Sequence, residues 1–387
     1  MTKLYCMLLV VLIACVAAAQ PGTLKNGMFE GRPAIVMSND KLELTITMEG
    51  STLANLILAD DPEKLSPLWS PIRMARELGA ATLPTTVGGH FVCVDGFGPT
   101  SPEERAAGLP NHGEAHVVMF EERSRQAGST NVVTLAARLP IVQELFTRTF
   151  RLVDGENVIY VESQLENLLG FDRPVNWAEH ATIGSPFLAS GETVVDLAGT
   201  RAQTRPWQQP ANNQLQRRLA SGKDFTWPLA PALDGTTINL RETPKDPHYI
   251  DHSAILLDPS RQLAWVSAMN LKKRLIIGYL FKREEYPWLQ MWWSFPATGK
   301  LARGLEFGTQ PYDVPRRDAV STGAMFGMPT YRWLPAKSRI ETHFLLFYAR
   351  LPEGFQKVDE VRLENGQLVI EDRAAQKRVM LVASLGL

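Results

Sequence analysis

The sequence predicts an all-β protein, an antiparallel sandwich in a single domain, and three observations carry that prediction. Apolar and polar residues alternate with a period of two in several segments. Asp154-Gly155 joins two such segments as a tight hairpin turn, because this dipeptide tolerates the positive φ values that such turns need. The 26 Pro and 28 Gly interrupt nearly every stretch that could otherwise grow into a long helix.

Taken in order, Lys41 to Met48 is a half-buried strand, with Leu42, Leu44, Ile46 and Met48 alternating against Glu43, Thr45 and Thr47. Gly50-Ser51 turns the chain into a second strand, Leu53 to Leu58. Pro102 to Gly108, with acidic Glu103 and Glu104 at its start, reads as a helix of one or two turns. Glu144 to Val153 and Asn157 to Leu168 flank Asp154-Gly155; in the returning strand Ile159, Val161 and Leu165 face one way and Tyr160, Glu162 and Gln164 the other. Further strands are expected at Ala115 to Phe120, Val132 to Leu139, Thr193 to Leu197, Leu263 to Met269, Leu275 to Phe281, Leu289 to Trp293, Ile340 to Tyr348 and Gln367 to Ile370. Gly199 to Asp234, rich in Gln, Asn, Arg, Pro and Trp and almost free of periodicity, reads as a long surface loop.

The first 19 residues have the composition of a secretory signal peptide: Lys3, an apolar run from Met7 to Val16 that is too short to span a bilayer, then Ala17, Ala18 and Ala19. The sequence is therefore read as an exported, periplasmic or secreted protein whose mature domain covers residues 20–387 and holds no integral membrane span. Leu12-Ile13-Ala14-Cys15 also resembles a bacterial lipobox, which would tether the chain through Cys15; the apolar residues after it speak against that reading. Loss of the leader removes two of three cysteines and leaves Cys93 alone, so no intramolecular disulfide is expected. Lys and Arg number 40 against 41 Asp and Glu, for a net charge of -1; removing Lys3 makes it -2. A near-neutral surface lacks the basic excess by which proteins gain affinity for phosphate backbones, so nucleic acid is excluded as a general partner.

Two of the seven histidines stand in chemically suggestive surroundings, His112 in Asn111-His112-Gly113-Glu114-Ala115-His116 and His180 in Glu179-His180-Ala181-Thr182. Glu306 is enclosed by Leu305, Phe307 and glycines, a setting that desolvates a carboxylate and suits it to proton transfer. If residues 179 and 180 lie in a strand, Glu179 and His180 point to opposite faces and only one enters a pocket; His180 is the choice. Trp177, Trp288, Trp292, Trp293 and Tyr312 offer flat apolar surfaces of the kind that cover the C–H faces of pyranoses, whereas Trp265, inside an apolar strand, is read as core.

Together with the opening strand pair, the hairpin TFRLVDGENVIYVESQLENL and a late glutamate, these residues give the chain a pattern that resembles the galactose mutarotase-like (aldose 1-epimerase) superfamily, in a divergent branch. The resemblance implies an antiparallel supersandwich that interconverts the anomers of aldoses. It assigns His180 as the acid that protonates the ring oxygen, Glu306 as the base at the anomeric hydroxyl, and His112 as a contact to the sugar. It also implies a sugar-binding aspartate before the glutamate, for which Asp246 and Asp251 are both candidates. The sequence departs from the characterised enzymes around the second histidine, which here is followed by ATIGSPF, so free glucose or galactose is not a given substrate. Anomer exchange itself needs only a paired acid and base, with no metal or redox cofactor.

Other readings compete. His112, Glu114 and His116 would share one face of an extended strand, and two imidazoles with a carboxylate can ligate zinc, iron or manganese. A sandwich of this kind can also bind a glycan without turning it over. Tyr249 with Arg241 would be the sparse beginnings of a polysaccharide lyase site.

Overall fold

The computed structural model describes residues 22–207, 216–245 and 248–387. The leader, Cys15 and Asp246 lie outside the described residues. Two large antiparallel sheets dominate, with three short helices among the described residues, so the fold is all-β. The first sheet has 14 strands. It starts with four sequential strands, Thr23–Phe29, Arg32–Ser38, Leu42–Thr47 and Leu53–Leu58, and continues through His90–Val94, Trp177–Gly184, Ala302–Gly304, Trp288–Phe295, Tyr249–Leu257 and Gly199–Thr204. Glu306–Gly308 is wedged between Trp177–Gly184 and Trp288–Phe295. The second sheet has 8 strands, and the hairpin Glu144–Val153 with Val158–Asn167 lies near its centre.

One apolar cluster draws inward-facing residues from both sheets. At its centre Phe307 of the large sheet stacks on Phe281 of the second at 4.3 Å and meets Phe344 edge-on at 5.4 Å. Burial in Glu144–Val153 alternates at every position, as a strand with one face in the core requires. Gly155 takes a φ of 82° at the hairpin turn. The short helix Pro102–Ala106 is fixed by a capping box in which the Ser101 side chain accepts from the Glu104 N–H and the Glu104 carboxylate accepts from the Ser101 N–H. No helix among the described residues is long and apolar enough to cross a membrane.

Two expectations fail. Ala115 to Phe120 is a series of turns, with the N–H groups of Val117 and Val118 folded back onto the Glu114 carbonyl at 3.0 and 3.2 Å. Ala115 and Phe120 are buried in the core while Val117 and Met119 are exposed, so the apolar composition imitates a strand that does not form. The expected loop from Gly199 to Asp234 contains the strands Gly199–Thr204, Asp224–Thr226 and Leu229–Pro231, which extend the large sheet through pairing the composition does not reveal.

Candidate active site

The strand Trp177–Gly184 is buried at all eight positions, and its two faces do different things. Trp177, Glu179, Ala181 and Ile183 turn into the core between the sheets; Ala178, His180 and Thr182 turn to the opposite face. In the neighbouring strand Phe91 pairs with His180 in register, so the two side chains project together, and their rings stack at 4.1 Å with an 18° tilt. His180 Nδ1 lies 2.9 Å from the Thr182 hydroxyl, which fixes the ring, and Nε2 lies 3.1 Å from Glu306 Oε1.

Glu306 comes from the short strand opposite Gln290, whose amide donates to Oε2 at 3.0 Å. Oε1 has no aligned hydrogen-bond partner in this buried site. Gly304 makes room for this side chain: a Cβ there would sit 2.3 Å from Oε1. Burial pushes the Glu306 carboxyl up to about 8, against the opposing pull of the Gln290 hydrogen bond and the Arg205 charge. Burial, reinforced by the neighbouring imidazole of His112, holds His180 well below the usual histidine range.

His112 reaches the same pocket from a strained turn, with φ at 65° followed by Gly113 at 78°. A Cβ on Gly113 would lie 2.2 Å from the Val94 carbonyl, so only glycine lets the turn pack against the sheet. His112 Nδ1 accepts from the Gly98 N–H at 3.2 Å, so in the neutral ring Nε2 carries the proton. Burial, with His116 adding like-charge repulsion, lowers His112 to about 3, and burial lowers His116 to about 4. Both are therefore neutral at physiological pH.

The resulting cavity, about 380 Å³, is also lined by Trp69, Trp292, His252, Gln290 and Asp313. Trp69 and Trp292 meet edge to face at 6.0 Å and form its aromatic wall. Of the residues singled out from sequence, the structure thus brings together His112, His180, Glu306 and Trp292. Tyr312 lines an adjoining cavity, its hydroxyl 3.1 Å from the Gln203 side chain. Trp177 does not reach the pocket. It is fully buried on the core face, edge-on to Phe146 at 5.3 Å.

Asp251 is likewise turned away: its carboxylate is fully buried and takes up the Arg218 guanidinium at 2.7 Å and the Arg218 and Leu219 N–H groups. The next residue, His252, faces the cavity in its place. Trp293 pairs with Asp251 and shares its orientation, while Trp288 is covered by the 329 region, donating to the Pro329 carbonyl at 2.8 Å. The alternative sites also come apart. Glu114 caps the N–H groups of Ile141 and Val142, away from the two histidines, and no group of three ligating residues placed to hold a metal occurs among the described residues. Arg241 is committed to Asp196 through two hydrogen bonds, and Tyr249 lies under Arg218. Sequence reasoning missed Trp69, Phe91, His252, Gln290 and Asp313. Only parity could have found some of them, once the strands carrying His180 and Trp292 were in register.

No family model and no curated protein sequence matches this chain. Its structure is similar to that of a Klebsiella pneumoniae protein provisionally assigned as an aldose 1-epimerase (TM-score 0.56, 14% identity, 84% of this chain and 80% of that one). It is similar to a galactose mutarotase related enzyme from Lactobacillus acidophilus (TM-score 0.56, 12% identity, 85% and 100%). A galactose mutarotase-like protein from Clostridium acetobutylicum gives a TM-score of 0.56 at 12% identity, covering 86% and 99%. The chain therefore has the galactose mutarotase-like fold; at these identities the likeness is one of fold alone.

Proposed function

We propose that this protein is an exported, aldose 1-epimerase-like enzyme that interconverts sugar anomers by general acid and base catalysis. The observation that carries the reading is the convergence of His112, His180 and Glu306, from three distant parts of the chain, on one cavity walled by Trp69 and Trp292. The low net charge and the neutral histidines suit an uncharged ligand.

His180 and Glu306 form a pair that works with one proton. With the proton on His180, the imidazolium gives it to the ring oxygen as Glu306 takes the proton from the anomeric hydroxyl; the C1–O5 bond breaks and C1 becomes a carbonyl. The pair then stands as neutral His180 and protonated Glu306. Rotation of the aldehyde exposes its other face, and the same two transfers run backwards to close the ring as the other anomer. Burial favours the proton on Glu306 in the resting pocket, and Glu306 Oε1 lies 3.1 Å from His180 Nε2, the group to which the proton moves in the active form of the pair. The Gln290 amide holds the carboxylate in place, and the His112 Nε2–H is positioned to donate to a sugar oxygen. A positioned acid or base contributes about 10²–10⁴-fold.

NMR exchange between α and β anomers over a panel of aldoses tests this. The wild-type protein accelerates exchange of at least one sugar, and His180→Ala and Glu306→Gln each lose at least about 100-fold. No acceleration on any sugar, or a rate unchanged from wild type in both variants, refutes it; binding without exchange would instead indicate glycan recognition. Export is tested by the N-terminus of the secreted product, expected at Gln20.

A further inference from the structure

Beside the His180–Glu306 cavity, and sharing Asp313 as a wall, lies a second and larger cavity of about 660 Å³. We propose that this annex binds a second sugar unit, so that the substrate is the reducing end of a disaccharide or longer oligosaccharide rather than a free monosaccharide; the inference rests on the anomer-exchange reading above.

The first argument is size. Small-molecule sites run from about 300 to 1,000 Å³, and the catalytic cavity at about 380 Å³ sits at the end that one small ring fills. The annex is larger than the pocket it adjoins, so a ligand confined to the catalytic cavity leaves the greater part of the concavity unused.

The second argument is chemistry. The annex alternates flat apolar surfaces (Trp207, Tyr312, Pro206, Pro311) with hydrogen-bonding groups (Gln203, Asp318), the combination that a pyranose with C–H faces and equatorial hydroxyls requires. Its walls are also fixed in place. The Trp207 ring lies against the Arg217 guanidinium at 3.5 Å and against the His252 ring at 5.6 Å, so one lining residue of the annex touches one lining residue of the catalytic pocket. Tyr312 is tied to the strand Gly199–Thr204 through contacts of its hydroxyl with Gln203 and Thr204. Asp313, the shared wall, is held by Arg205, whose Nη2 donates to the Asp313 carbonyl at 2.9 Å, and the two side chains form an ion pair. That pairing cancels the charge at the junction and leaves it fit for neutral hydroxyls.

The test compares kcat/KM for anomer exchange of lactose, maltose and cellobiose with that of glucose and galactose, in the wild type, in Trp207→Ala and in Ala324→Trp. Ala324 is an exposed residue lining the annex, so a tryptophan there fills the cavity without entering the core. At least one disaccharide is expected to exceed its component monosaccharides about tenfold, and both variants to bring that ratio close to one. Monosaccharides exchanged as well as every disaccharide, a ratio preserved in both variants, or a preference for an anionic monosaccharide would each overturn the proposal. If the wild type exchanges no sugar, the anomer-exchange reading falls, and tryptophan-fluorescence titration decides the annex separately. Tighter binding of a disaccharide than of glucose that is lost in Ala324→Trp supports it, and equal binding overturns it.

Discussion

Glu179 and His180 are adjacent in sequence, yet they belong to two buried polar clusters with opposite electrostatics on the two faces of one strand. On the core face Glu179 lies 2.9 Å from the Arg148 guanidinium and 2.8 Å from His90 Nε2, with the Trp177 indole and Tyr286 hydroxyl donating to its other oxygen. Burial alone would raise its pKa, but the Arg148 charge and the His90 hydrogen bond outweigh burial and hold the carboxylate below its usual range. On the pocket face Glu306 meets an amide and a neutral imidazole, burial wins, and the carboxyl rises to about 8. Two carboxylates of equal burial thus serve different ends. The saturated one locks the sheets together; the under-satisfied one is poised to exchange a proton.

The sharpest way to break this contrast is to remove the cation on the core side. Arg148→Met leaves Glu179 charged, buried and uncompensated, with an expected loss of about 3–5 kcal/mol in denaturant unfolding. Arg148→Met combined with Glu179→Leu should recover most of that loss; if it does not, the cluster does more than balance charge.

Glu306→Gln should have the opposite sign. A folded carboxyl that titrates near 8 keeps its proton between about pH 4.5 and 8 while the unfolded chain has lost it, so native stability falls with rising pH across that window. Glutamine abolishes this slope, and the variant is expected to gain more than about 1 kcal/mol over wild type at pH 8 relative to pH 5. Equal pH dependence of unfolding in the two proteins would show that the carboxyl is not held protonated.

The proposed one-proton mechanism implies a bell-shaped pH profile for anomer exchange. The rate declines as pH rises through about 8, where the pair loses its proton, and at acid pH well below the usual histidine range, where it gains a second. A rate that continues to climb above pH 9 would contradict the one-proton pair. The smallest effect is expected from Thr182→Val, which removes the 2.9 Å partner of His180 Nδ1. A loss of about 1 kcal/mol, or roughly fivefold in kcat with KM little changed, is the magnitude of one neutral hydrogen bond. A change in KM alone would assign Thr182 to binding.

Two kinds of segment could be read from sequence: strands with one wet face, and short unbroken apolar runs such as Leu275 to Phe281 that are buried on both faces. The alternation of Glu144–Val153, the turn at Gly155 and the short helix starting at Pro102 each follow from local rules, and each stands where those rules put it. Trp177–Gly184, by contrast, is covered on both faces yet carries Glu179, His180 and Thr182, so it shows neither an alternation nor an unbroken apolar run and does not read as a strand, although the opposite facing of Glu179 and His180 follows from strand parity. Trp177 and Asp251 had the right chemistry for a sugar site and the wrong parity: one residue along, His252 enters the pocket, and Asp251 pairs with Arg218. By itself, then, the sequence determined the fold class, the hairpins and the residue types capable of proton transfer, because these depend on side chains within a few positions of one another. Only the tertiary structure decided which face each one meets and which partners it finds there, because a pKa is set by burial and by charges brought in from other parts of the chain, such as Arg148 at Glu179 and Arg205 at Glu306.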